Sequence, residues 1–128
     1  MAYIKSYKEL EVYKLARQLS REIFIMTKSF PKEERYSLID QIRRSSRSVG
    51  AQIAEAWAKR RYEKHFISKL TDSDGEQQET QHWIETSLDC VYIDVKKRDY
   101  YIAKYEEVGK MLQSMIDKSH LFCKKAQS

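Results

Sequence analysis

The sequence predicts an all-α fold, an antiparallel up-down four-helix bundle, and three observations point to it. Only three Gly and one Pro interrupt 128 residues, whereas an all-β domain needs a turn roughly every 8–12 residues. Apolar residues recur at steps of three and four in four successive stretches, the spacing of one helical face. Hydrophobic residues make up 41% of the chain and charged residues 34%, enough to build a core under a heavily solvated surface and too apolar for a disordered segment. The length fits a single domain over residues 1–128.

The first helix is expected over about 6–28. Ser6-Tyr7-Lys8-Glu9 matches a capping box, and Val12, Leu15, Ala16, Leu19, Ile23 and Met26 trace one face before Ser29-Phe30-Pro31 ends the pattern. Pro31 suits the first turn of a second helix, where Glu33 and Glu34 favour the positive end of the helix dipole. Its seam reads Ile39, Ile42, Ser46, Val49, Ile53 and Trp57, with Gly50 and Ala54 beside it to let a neighbour approach, and Arg60-Arg61-Tyr62 ends it.

The third helix is expected from about Lys64 to Val95. Phe66, Leu70, Ser73, Gln77, Thr80, Ile84, Ser87 and Val91 keep four-three spacing, yet the middle members are polar. Buried polar groups without partners cost about 1–3 kcal/mol each, so this seam either pairs with side chains of the second helix or faces another subunit. Asp99 can cap the fourth helix, whose seam is Tyr105, Val108, Leu112, Met115, Ser119 and Phe122.

Charge is segregated along the chain. Residues 66–94 carry seven acidic groups and one basic group, while residues 29–65 carry nine basic and five acidic, within a net charge of +5. Mutual neutralisation is one explanation. The other is a basic surface that attracts phosphates while the acidic helix turns inward or toward a partner. The densest basic sites are Arg43-Arg44-Ser45-Ser46-Arg47 and Lys59-Arg60-Arg61. Arg43 and Arg47 lie four apart on one helix face with Arg44 a step around, so their guanidinium groups can grip neighbouring phosphates. Ser45 and Ser48 add hydroxyl donors, and Tyr62, Lys64 and His65 extend the second cluster with groups that stack on a base or donate to a phosphate.

Signals for catalysis are sparse. His65, His82 and His120 lack metal-ligand spacing. A calcium loop around Asp72-Ser73-Asp74-Gly75 fails, because its first and twelfth positions would be Leu70 and Gln81. Glu79-Thr80-Gln81-His82 supplies one Glu-x-x-His pair where a di-iron bundle needs two. Cys90 and Cys123 fall in apolar patterns and are expected to act as small buried hydrophobes. No enzymatic activity, metal or cofactor is expected. The start Met1-Ala2-Tyr3-Ile4-Lys5 lacks the apolar stretch of a signal peptide, and no apolar run reaches the ~20 residues of a membrane span, so a cytoplasmic protein without membrane contact is expected.

The run Ser29-Phe30-Pro31-Lys32-Glu33-Glu34-Arg35-Tyr36, then Gln41-Ile42-Arg43-Arg44-Ser45 and Ala51-Gln52-Ile53-Ala54-Glu55-Ala56, resembles the signature of small bacterial four-helix-bundle proteins encoded by intervening sequences within 23S ribosomal RNA genes. Leu10-Glu11-Val12-Tyr13 and Glu76-x-x-Glu79-Thr80 are similar to that family's other marks. The resemblance covers nearly the whole chain. It implies an up-down bundle that assembles as a ring-like homopentamer. It also implies a distant likeness to accessory proteins of diversity-generating retroelements, basic barrels that engage nucleic acid and a reverse transcriptase.

Two functions follow as expectations. One is a non-enzymatic homo-oligomer that binds RNA or DNA through Arg43, Arg44, Arg47, Lys59, Arg60, Arg61 and Lys64. The other is an adaptor that docks its acidic third helix on a protein partner, without nucleic acid.

Overall fold

The Ser6-x-x-Glu9 box forms, but it closes less structure than its motif suggests. In the computed structural model, which describes residues 4–123, the Lys8 amide donates to Ser6 Oγ at 3.2 Å and the Glu9 carboxylate accepts from the Lys5 and Ser6 amides. The capped segment is only a 3-10 turn, Tyr7–Glu9. Leu10 is extended and buried, which separates that turn from helix α1, Glu11–Thr27. Pro31 likewise opens a short 3-10 turn, Lys32–Glu34, rather than the second helix itself. Helix α2 follows at Leu38–Ala58. Glu34 still serves its N-terminus, because its carboxylate accepts from the Leu38 amide at 3.4 Å and from the Ser37 hydroxyl at 2.6 Å.

Helix α3 spans Glu63–Asp89 and helix α4 Val95–Asp117, so α3 stops well short of Val95. The stop is a Schellman motif: the Tyr92 amide donates to the Ser87 carbonyl at 2.9 Å and the Val91 amide to the Leu88 carbonyl at 2.8 Å. Val91 holds the left-handed position with φ 60° and is exposed; it therefore leaves the buried seam that its spacing suggested. Asp94, not Asp99, caps α4 by accepting from the Lys97 amide at 2.8 Å. Asp99 lies inside the helix, paired with Arg98 Nε at 2.7 Å.

Each helix packs on its sequence neighbours, and α1 closes against α4, the contact pattern of an up-down bundle. The apolar seams meet in one core through Leu19, Ile23, Ile42, Val49, Ile53, Phe66, Leu70, Ile84, Tyr105, Val108 and Leu112. Trp57 and Phe122 are only half-buried. The small residues of α2 do admit a neighbour: the Tyr13 ring of α1 lies over Gly50, 3.5 Å from where a Cβ would stand.

The polar seam of α3 also points into this core. Ser73 Oγ donates to the Val49 carbonyl of α2 at 2.8 Å, and the Thr80 and Ser45 hydroxyls meet at 2.8 Å. Gln77, beside them, donates to Asp74 at 2.9 Å and accepts from Gln81 at 2.7 Å. Gly109 of α4 sits against this amide, and a Cβ there would come within 2.8 Å of Gln77 Nε2. Of the two possibilities for the seam, pairing with α2 is the one realised. Among the described residues, no helix is long and apolar enough to cross a membrane.

Candidate nucleic-acid interface

Helix periodicity places residue 43 of α2 at the edge of its buried stripe and residues 44 and 47 on its outer face, since Ile42, Ser46 and Val49 point inward. Arg44 and Arg47 are exposed and Arg43 is half-buried. The three line one open groove of about 540 Å³ together with Arg35, Tyr36, Asp40 and Ser48. A second groove of about 370 Å³ shares Arg47 and Ala51 and continues over Gly50 toward Tyr13 and Arg17 of α1. The result is a trough along the outside of α2 that reaches α1 past Gly50, with five arginines along it.

Arg43 is held in place. Its Nε donates to Thr27 Oγ1 at 2.8 Å and its Nη2 to the Phe24 carbonyl at 3.4 Å. Thr27 is itself buried and donates to the Ile23 carbonyl at 2.8 Å. Two edges of the guanidinium are thus committed to α1, and Nη1 remains for a ligand. Burial, followed by the charge of Arg47, lowers the Arg43 pKa from its ordinary value. Burial is the larger cause and the like charge adds to it, whereas an ion pair would act in the opposite direction.

Phe24 organises that crowd. Its ring lies 4.6 Å from the Arg43 guanidinium, 4.8 Å from Lys28 Nζ and 5.5 Å from the Arg47 guanidinium. Cation–π attraction of about 0.5–1 kcal/mol each offsets part of the repulsion among three like charges. The ring supplies no counter-charge. Asp40 lines the groove, yet among the described residues none of Arg43, Arg44, Arg47, Lys59, Arg60, Arg61 and Lys64 sits in an ion pair. Two acidic groups of α3 find other cations, Glu85 pairing with Arg98 and Asp72 with Lys69.

The sequence grouped seven basic residues, and the structure divides them. Lys59, Arg60, Arg61 and Lys64 stand at the α2–α3 turn, and 15 residues of helix at 1.5 Å each put Lys59 about 22 Å from Arg44. Arg60 folds onto Trp57, 3.6 Å from its ring, with Nε donating to the Trp57 carbonyl at 2.9 Å. Lys59, Arg61, Lys64, Tyr62 and His65 are exposed. Of the two serines expected to assist, Ser48 lines the groove while Ser45 is buried and committed to Thr80. Cys90 is exposed at the end of α3 instead of buried, and Cys123 is half-buried.

Arg35, Tyr36, Phe24, Lys28 and Arg17 join the site unannounced by the α2 pattern, because they come from α1 and from the α1–α2 connection. Among the described residues, no three His, Cys, Asp or Glu side chains converge to hold a metal ion.

Comparison with known proteins adds two findings. The family model described as 23S rRNA-intervening sequence protein matches residues 8–114. A crystal structure from Bacteroides thetaiotaomicron, of a protein of unknown function from the S23 ribosomal protein family, superposes with a TM-score of 0.75 at 28% identity, covering 83% of this chain and 95% of that one. No curated protein matches the chain.

Proposed function

The chain belongs to the 23S rRNA-intervening sequence protein family, and from that premise we propose that it is a non-enzymatic, homo-oligomeric bundle that binds nucleic acid, RNA above all, in the cytoplasm. The observation that carries this reading is the trough: Arg35, Arg43, Arg44 and Arg47 converge on one open surface with a single carboxylate among them. Such a cluster creates a positive field that stabilises an incoming phosphate and is destabilising without one. Arg43 acts as the fixed member, already ordered by Thr27 and Phe24, so little side-chain entropy is lost when it meets a ligand. Assembly would repeat the trough around a ring, and several weak sites on one polyanion bind far more tightly than one.

The test is light-scattering chromatography of the purified protein with and without 23S rRNA fragments. The expected result is an assembly mass that is a multiple of 15.3 kDa, co-elution with RNA at about 50 mM salt, and release by about 200 mM. A protein that fails to co-elute at the lower salt overturns the proposal.

The exposed acidic side chains of α3, Asp72, Glu79 and Asp89 among them, favour a second reading. In it, α3 docks on a basic protein and no nucleic acid is involved. Pull-downs of a partner that survive nuclease treatment support that reading, and capture abolished by nuclease opposes it.

A further inference from the structure

We propose that the bound strand is unpaired, with Tyr36 and Tyr62 as platforms on which its bases stack; this deepens the polyanion reading and rests on it. Each tyrosine follows an arginine in the chain, Arg35-Tyr36 and Arg61-Tyr62, one pair at either end of α2. In each pair the guanidinium lies over its neighbour's ring, 5.4 Å from the Tyr36 centroid and 5.8 Å from the Tyr62 centroid. Both rings stand in water, 83% and 57% exposed.

A base stacked on the Tyr36 ring opposite the cation completes a guanidinium–ring–base sandwich; at Tyr62 the tilted His65 ring, 5.4 Å away, shares the platform. Tyr36 lines the same groove as Arg44 and Arg47, so phosphate grips and a stacking surface stand side by side. The 21 residues of α2 span about 32 Å, the length a strand must cover to reach both platforms. A duplex presents phosphates to the arginines equally well, but its base faces are already stacked on one another and leave the tyrosines idle.

Fluorescence anisotropy at fixed salt separates the possibilities, with an unstructured RNA of about 20 nucleotides compared with the same RNA annealed to its complement. The single strand is expected to bind at least about tenfold more tightly than the duplex. Tyr36→Ala should weaken the single strand by about 5- to 100-fold, within the range of base–aromatic stacking, and leave the duplex unchanged. Tyr36→Phe should restore binding, and a 2-aminopurine base in the strand should be quenched by wild type and Tyr36→Phe but not by Tyr36→Ala. Equal affinity for strand and duplex, or the same loss on both, overturns the inference while the trough stands. Binding of neither form overturns the polyanion reading and this inference together.

Discussion

Replacing Thr80 with Val tests whether the polar seam of α3 holds the bundle together. Val keeps the branched shape of Thr and puts a methyl group where the hydroxyl stood. Thr80 and its partner Ser45 are at most 1% exposed, so water cannot replace the lost bond. Thr80 Oγ1 stands 2.8 Å from Ser45 Oγ and 2.9 Å from the Glu76 carbonyl. Without it, Ser45 keeps only a 3.4 Å contact to the Ile42 carbonyl, which places the cost at about 1–2 kcal/mol, the lower part of the range for an orphaned buried group.

At about 2.1 cal/mol/K of unfolding entropy per residue, this chain loses about 4–7 °C in Tm. Thermal unfolding followed by circular dichroism reads it directly. Ser45→Ala alone costs less, about 0.5 kcal/mol, because Thr80 retains the Glu76 carbonyl. The double variant Ser45→Ala/Thr80→Val should return to within about 0.5 kcal/mol of wild type, since both polar groups leave together. A Thr80→Val protein that melts with wild type, or a double variant whose losses simply add, would show that the Thr80–Ser45 bond does not hold α3 on α2.

Two further outcomes concern the loops at one end of the bundle. Val91→Gly should raise Tm by about 2–4 °C in the same assay: relief of a β-branched residue at positive φ, about 1–2 kcal/mol, exceeds the extra entropy of glycine in the unfolded chain, about 0.5–1 kcal/mol. An unchanged or lower Tm contradicts it. The second outcome concerns the Tyr92 hydroxyl, which donates to Glu34 Oε2 at 2.8 Å. Hydrogen bonds from Ser37 and then Tyr92 lower the Glu34 pKa from 4.5, while the bond to Glu34, followed by burial, pushes Tyr92 from 10.0 up to about 12. Glu34 therefore stabilises fully above pH 4.5 and loses its contribution as pH falls through its lower folded value. Tyr92 contributes fully below pH 10 and loses its part as pH rises toward about 12. In urea denaturation across pH, Glu34→Gln should flatten the acid limb and Tyr92→Phe the alkaline limb. Profiles parallel to wild type at both ends would show that the Tyr92–Glu34 hydrogen bond does not contribute to stability.

The seams of α1, α2 and α4 were legible because burial repeats with the helix period, and Val12, Leu19, Ile42, Val49, Val108 and Leu112 follow it without interruption. The helix ends were not. Val91 continues the apolar spacing of α3 even though the chain has already turned there, since a valine stands where a Schellman motif usually has glycine. That one residue moved the expected end of α3 and, with it, the choice of Asp99 over Asp94 as the next cap. The Ser6 box was read correctly as chemistry and wrongly as extent, because Leu10 adopts an extended conformation to bury its side chain and breaks the continuity.

At the candidate site, the convergence of Arg43, Arg44 and Arg47 followed from spacing alone. The partners that fix Arg43, Thr27 and Phe24, lie 16 and 19 residues away, and no periodicity within one helix reports on a neighbouring helix. Arg35 and Tyr36 sit in a connection whose path only the packing of α1 on α2 determines. Lys59 to Lys64 belonged to the same charge count but are separated from the trough by the length of α2, a distance that composition does not carry.

Phosphate binding in the trough is read from the dependence of RNA affinity on salt in the variant Arg35→Ala/Arg44→Ala/Arg47→Ala. All three side chains are exposed and line the trough, so their removal leaves the core intact. Each lost phosphate contact on a single strand should reduce the slope of log affinity against log salt by about 0.7, or about 2 for the three together. A slope equal to that of wild type would mean that phosphates bind elsewhere on the bundle, or nowhere.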